Sequence, residues 1–406
     1  MPARGGAVTV PARHRPALRP GVLLSEPLLH GPDLVHLIKN TGSGQSFKVG
    51  PREHFLISRM DGTRTLEEIG ADYAVRFGRR LGDSHWRSLL ALLGTRDLLA
   101  GRAGPTTVPG GPAAAPAATA SLHEPVAQPA AATSPAPPVP AAEPVDAPRG
   151  LMRGSVRLVA DADATATRLH RRTRYLLSPA AVLPLLALAV LMEATLALRL
   201  GELLDDTAAL FTAPALLLAV ATLLWLSTAL HELAHGVLAH HHGGRVSEIG
   251  LRWRLPVVIM YCTVDDFLHL PGRRGRIATA GAGAAANLLF LLPFFAVWAL
   301  APLDDTTRQA LGALLLLGSV QAFTMLLPLP PLDGYRIAAQ LLGATGLAAS
   351  TAGYLRLLLR RDPAAARYPR RARRAYTAYG ATVALTLVLL AAAAAGVAHH
   401  YLTTAP

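Results

Sequence analysis

Leu226-Ser227-Thr228-Ala229-Leu230-His231-Glu232-Leu233-Ala234-His235 carries a membrane-length apolar run straight into two histidines four residues apart. On a helix, that spacing puts both imidazoles on one face, close enough to bind one metal ion. The intervening Glu232 is placed to take a proton from a water beside that ion. Ionisable groups at the end of such a run are costly, about 3 kcal/mol each near a bilayer centre, and usually serve a function.

Five segments approach the roughly 20 residues that a bilayer demands. They are Pro179–Ala197, Ala208–Leu230, Ile277–Leu300, Ala310–Leu327 and Tyr376–Ala398. The basic stretches Arg168–Arg174, Arg245–Arg276 and Arg356–Arg374 alternate with the acidic Glu202–Asp206 and Asp304–Asp305. Positive charge stays on the cytoplasmic side, so the alternation predicts a cytoplasmic N-terminus and an external C-terminus. Ile337–Leu359, broken by glycines and a serine, reads as a cytoplasmic or re-entrant helix. From Ala208 to His231 is about 34 Å of helix, which sets the histidine pair at the cytoplasmic edge.

Of the 406 residues, 51% are hydrophobic and the formal net charge is +13. The basic residues cluster beside the apolar spans and form no single stripe, which points to a lipid bilayer and away from nucleic acid. One cysteine, Cys262, rules out an internal disulfide framework and has no histidine pairing that would suggest a nucleophile. Met1–Val22 is basic and contains proline, without an apolar core, so it does not read as a secretory signal. Residues 103–150 are rich in alanine and proline and bury no core, as a flexible linker would. Leu151–Leu177 is a basic approach to the membrane part, residues 151–406.

The N-terminal part has a different pattern. Leu34–Ile38 and Ser46–Val49 flank Thr41-Gly42-Ser43-Gly44 as a hairpin. Pro51–Met60 reads as a helix and Asp61-Gly62 as a turn. Thr65-Leu66-Glu67-Glu68 is a capping box opening a helix with Leu66, Ile69, Tyr73 and Phe77 on one face. Asp83-Ser84 starts another, carrying Trp86, Leu89, Leu90 and Leu93. A hairpin with three helices suits a small α+β, winged-helix-like domain, and Glu67, Glu68 and Asp72 make its second helix a poor match for nucleic-acid phosphate. The expected fold is therefore mainly α, a polytopic membrane helix bundle behind that small domain.

Two histidines leave a catalytic metal short of a third ligand. Asp333, in Pro328-Leu329-Pro330-Pro331-Leu332-Asp333-Gly334, returns to the same membrane edge after the fourth span. The prolines stop the helix, and Gly334 permits a tight turn that aims the carboxylate. The alternative is an ordinary Asp-Gly turn; the matching depth of His231 and His235 favours ligation. Asn287, in Gly281-Ala282-Gly283-Ala284-Ala285-Ala286-Asn287, lies about 15 Å inside the third span. It reads equally as an interhelical hydrogen bond or a substrate contact. Gln321 reads as packing, and His240-His241-His242 as a helix C-terminus rather than further ligands.

His231–His235, the Gly283-to-Asn287 spacing and Pro328–Gly334 together resemble the three signature elements of site-2 proteases, membrane-embedded zinc metallopeptidases with a three-helix catalytic core. The resemblance covers about Ala208–Gly334. It implies Zn2+ on His231, His235 and Asp333, Glu232 as the catalytic base, and a substrate role near Gly283 and Asn287. Ala284 stands where the family often has proline, and Met325 where it usually has asparagine. Neither change removes a metal ligand, but Met325 removes a polar group that helps position substrate.

Phe47-Lys48-Val49-Gly50-Pro51-Arg52-Glu53 and Met60-Asp61-Gly62-Thr63-Arg64-Thr65-Leu66-Glu67-Glu68-Ile69 resemble a PqqD-like domain over residues 19–102. Such domains recognise leader peptides of ribosomally made, modified peptides, typically as an added β-strand. The combination implies an endopeptidase that removes a leader or matures such a peptide at the cytoplasmic membrane face. Two alternatives stand beside it. One is regulated intramembrane proteolysis of a membrane regulator. The other is a non-catalytic exporter, immunity or scaffold protein.

Overall fold

The computed structural model describes residues 14–100, 153–254 and 257–404, and the expected linker at 103–150 lies outside them. Contacts divide the chain into two units, one N-terminal and one holding the apolar helices.

In the N-terminal unit, β1 (Ala17–Leu18) pairs with β6 (Leu99–Ala100). The long strand β4 (Asp33–Asn40) is shared by β2 (Val22–Leu24), β3 (Leu28–His30) and β5 (Ser46–Val49), all antiparallel. The expected hairpin is β4–β5; β2 and β3, too short to show a period, complete its sheet. Helix α1 (Pro51–Ile57) begins with proline at its first turn and ends three residues before the expected Met60. The capping box forms: Thr65 Oγ1 accepts from Glu68 N (3.2 Å) and Glu68 Oε2 from Thr65 N (2.7 Å), opening α2 (Leu66–Phe77). An N-cap of this kind contributes about 1 kcal/mol. Helix α3 is Asp83–Thr95. Leu66, Ile69, Tyr73, Trp86, Leu89 and Leu93 are buried as their helical spacing demands, around Ile38, Leu56, Ile57 and Met60. Phe77 and Leu90 pack at the margin of this core.

The second unit is mainly helical. Among the described residues, four helices are long and apolar enough to cross a membrane: α5 (Pro179–Leu198), α7 (Pro214–His241), α8 (Arg273–Leu300) and α12 (Arg370–Thr404). The expected fifth span, Ala310–Leu327, overlaps α9 (Asp305–Met325), which ends two residues earlier and is long enough but less apolar. The reason is its position. Helix α9 packs against α7, α8 and the short α6 (Leu200–Leu210), and its polar groups are satisfied by protein. Ser319 Oγ donates to Glu193 (2.8 Å), Gln321 Nε2 to Thr228 Oγ1 (2.7 Å) and Arg308 to the Trp298 carbonyl (3.2 Å). Met192, Leu196, Leu203, Leu291, Trp298 and Leu314 form the shared core.

The second expected span also changes. Residues 208–210 belong to α6, and α7 starts at Pro214, where proline suits the first turn. The basic approach segment is described from residue 153 onward. Its strand β7 (Arg153–Arg157) joins β8 (Arg245–Arg254) and β9 (Val257–Asp265) in an antiparallel sheet, and α4 (Ala162–Thr173) packs on β8 and α7. The apolar stretch Ile337–Leu359 is two helices, α10 (Asp333–Leu342) and α11 (Leu347–Leu359). Gly343 and Gly346 break it in the left-handed region, at φ of 62° and 60°.

Candidate metal centre

Helices α7 and α8 run antiparallel, with residues every four positions facing each other. Ser227 meets Asn287, His231 meets Gly283, and His235 meets Thr279. A Cβ on Gly283 would overlap the His231 ring, so glycine is what lets the imidazole lie against α8. All six residues are buried.

Asp333 comes in from the start of α10. Prolines after α9 turn the chain, and Gly334 lies so close to the last carbonyls of that helix that a Cβ would collide with Leu326 O. Gly334 is not in a positive-φ turn, as expected from the Asp-Gly pair; close backbone approach is its reason. The far end of α10 is tied to α8. Arg276 Nε donates to Gln340 Oε1 (2.8 Å) and Arg273 Nε to the Gln340 carbonyl (2.6 Å).

His231 Nε2, His235 Nε2 and Asp333 Oδ2 converge, with separations of 3.2 Å between the histidines and 3.0 and 3.1 Å to the carboxylate. Among the described residues this is the group whose donors could hold a metal ion. The donor set fits one: ligand atoms held about 2.0–2.2 Å from a tetrahedral ion stand at nearly this spacing. Outer partners orient each ligand. His235 Nδ1 donates to the Thr279 carbonyl at 2.7 Å, which leaves Nε2 as the donor atom. His231 Nδ1 faces the Asn287 amide at 3.2 Å, and the other end of that amide meets Ser227 Oγ at 3.0 Å. Asn287 Nδ2 is the end that faces His231 Nδ1, and its Oδ1 accepts from Ser227 Oγ. Asn287 therefore bridges the helices and positions His231. The second oxygen of Asp333 faces Arg336 at 3.6 Å.

Glu232 is left out of the ligand group. Its Oε2 accepts from the backbone N–H of Cys262 on β9 at 3.2 Å. Further along the same strand, Trp225 Nε1 donates to the Val258 carbonyl at 3.0 Å. Strand β9 is thus tied to α7 at two points, Val258 and Cys262. Burial, then the nearby Glu232, pushes the Cys262 thiol up to about 12, so it stays protonated and inert.

His240 and His241 lie outside the metal group and gather with His170 of α4, the His170–His241 nitrogens 3.0 Å apart. Ala284 is buried on α8, and Met325 is the half-buried last residue of α9. Ser227, Thr279, Arg276 and the Cys262 amide were not anticipated. Ser227 and Thr279 carried a signal, the four-residue repeats Ser-x3-His-x3-His and Thr-x3-Gly-x3-Asn. No family model, curated protein or solved structure matches the chain.

Proposed function

We propose that the chain is a membrane-embedded zinc endopeptidase, hydrolysing a peptide bond near the cytoplasmic membrane face, and that its N-terminal unit delivers the substrate by its leader. The observation that carries this reading is a buried two-histidine, one-aspartate group with a glutamate beside it that is not a ligand. That is the composition of a catalytic rather than a structural zinc site, which closes its fourth position with protein.

Bound zinc supplies a polarised scissile carbonyl and a water acidified to a pKa of about 7. The chain's own residues do the rest. His231, His235 and Asp333 hold the ion, and Thr279 and Asn287 keep both rings aimed. Glu232 takes the water proton on its carboxylate and returns it to the leaving amine nitrogen. The backbone of Met260, between the two points where β9 is tied to α7, suits an extended substrate paired along the strand. Counting from Pro214, His231 lies about 26 Å along α7, a few ångström inside an apolar layer of about 30 Å. Substrate then reaches the centre from the cytoplasmic surface.

The sequence resemblance to PqqD-like domains is joined by one structural feature, the outer edge of β5. Among the described residues, strand β5 pairs only with β4. The Asn40 N to Gln45 O bond (3.0 Å) and the register put the backbone groups of Ser46 and Lys48 on the outer side, where a leader strand can add.

The test is cleavage of a leader-bearing precursor by the purified protein. A chelator is expected to abolish cleavage and zinc to restore it, with His235→Ala losing metal and cleavage together. Precursor cleavage that persists in metal-free protein would overturn the reading in favour of a binding or transport role.

A further inference from the structure

Helix α12 opens with Arg370-Arg371-Ala372-Arg373-Arg374. Arg370, Arg373 and Arg374 line a groove of roughly 570 Å³, together with Tyr354 of α11 and Thr377 and Ala378 one turn further on. The groove is built on a tight helix pair. Ala372 and Tyr376 are fully buried, the Tyr354 and Tyr376 rings are 6.1 Å apart, and Gly380 admits Leu355. The arginines are therefore held over a fixed floor.

Their electrostatics are unbalanced. The first turn of α12 has no acidic residue, and among the described residues no carboxylate pairs with Arg370, Arg373 or Arg374. The helix N-terminus adds its own positive potential to theirs. Like charges gathered at the positive end of a helix repel one another unless an anion sits among them.

The anion is indicated by where the groove lies. The apolar part of α12 is not buried by the rest of the protein, so in a membrane it faces lipid. At 34 residues the span is about 51 Å long, well beyond an apolar layer of about 30 Å. The arginine turn lies just before the apolar stretch, at headgroup depth. We propose that this groove binds the phosphate of an anionic phospholipid, such as phosphatidylglycerol or cardiolipin. The guanidinium forks match phosphate oxygens two at a time, and the Thr377 hydroxyl provides a further donor.

The experiment compares full-length protein in nanodiscs of phosphatidylcholine with and without phosphatidylglycerol, counting retained lipids by native mass spectrometry. Wild type is expected to hold phosphatidylglycerol at least about tenfold above its bulk fraction. The R370Q/R373Q/R374Q variant is expected to fall to the bulk ratio. Should that variant not fold, R370K/R373K/R374K decides: charge is kept but the forks are lost, and enrichment should drop severalfold. Retention at the bulk ratio in wild type, or equal enrichment in wild type and variant, overturns the proposal. So does stabilisation by inorganic phosphate in pure phosphatidylcholine without lipid enrichment, which would identify a free phosphate as ligand. None of these readouts depends on peptidase activity.

Discussion

Asn287 touches His231 and Ser227, so its expected effect is on the metal before it is on substrate. Asn287→Ala should weaken metal binding about 10–100-fold, the usual cost of removing an outer partner of a ligand histidine. Gly283→Ala should do at least as much, because the added methyl displaces the His231 ring itself; metal content after dialysis against graded chelator reads both. A second residue-scale prediction concerns Asp206. It is 8% exposed, and its Oδ2 has no hydrogen-bond partner among the described residues. Burial first, then Glu202 and Asp205, raises its pKa to about 6. The unfolded carboxyl titrates near about 3.9, so the folded state holds a proton that the unfolded chain has released. Stability is then fully present below the unfolded value and lost as pH rises through 6. Asp206→Asn should raise the melting midpoint at pH 8 and leave it nearly unchanged at pH 4; equal shifts at both would contradict the assignment. The ligand residues were legible because a His, Glu or Asp beside an apolar run stands out by type. The Thr279 carbonyl and the Cys262 amide were not, since any residue supplies a backbone group and only the fold selects which one.

At the scale of elements, hydropathy found the lipid-facing helices and overstated the inner one. Helix α9 can keep Arg308, Ser319 and Gln321 because α5, α7 and α8 supply their partners, which lowers its apolarity below that of its neighbours. The β8–β9 hairpin was hidden for another reason: its arginines read as topological charge, masking the alternation in Leu251-Arg252-Trp253-Arg254. The capping box and the two helical faces of the N-terminal unit were legible because their signals are local. Strands β2 and β3 were not, being three residues each and defined by their pairing to β4. Strand β5 carries the element-scale prediction. Lys48→Pro removes an outward N–H without touching the β4 ladder, a substitution that edges tolerate. Leader affinity should fall about tenfold or more, against little change in Lys48→Ala. Equal affinity for both variants would argue against strand addition at β5.

For the whole molecule, the proposed function has residues 103–150 connect a recognition unit to a hydrolytic one. Tethering raises the local concentration of a bound leader toward the millimolar range when the linker can span the two sites. Deleting residues 14–100 should therefore raise KM for a leader-bearing precursor by about tenfold or more, with kcat for a leaderless peptide unchanged. An unchanged KM would favour a substrate recognised in the membrane and a sensory N-terminal unit. The central claim, that the buried group is a hydrolytic metal centre, is tested most directly by Glu232→Gln, with metal content and precursor cleavage measured on the same sample. Metal at the wild-type stoichiometry with cleavage reduced about 100-fold or more is the predicted result. Wild-type cleavage by that variant would contradict the account.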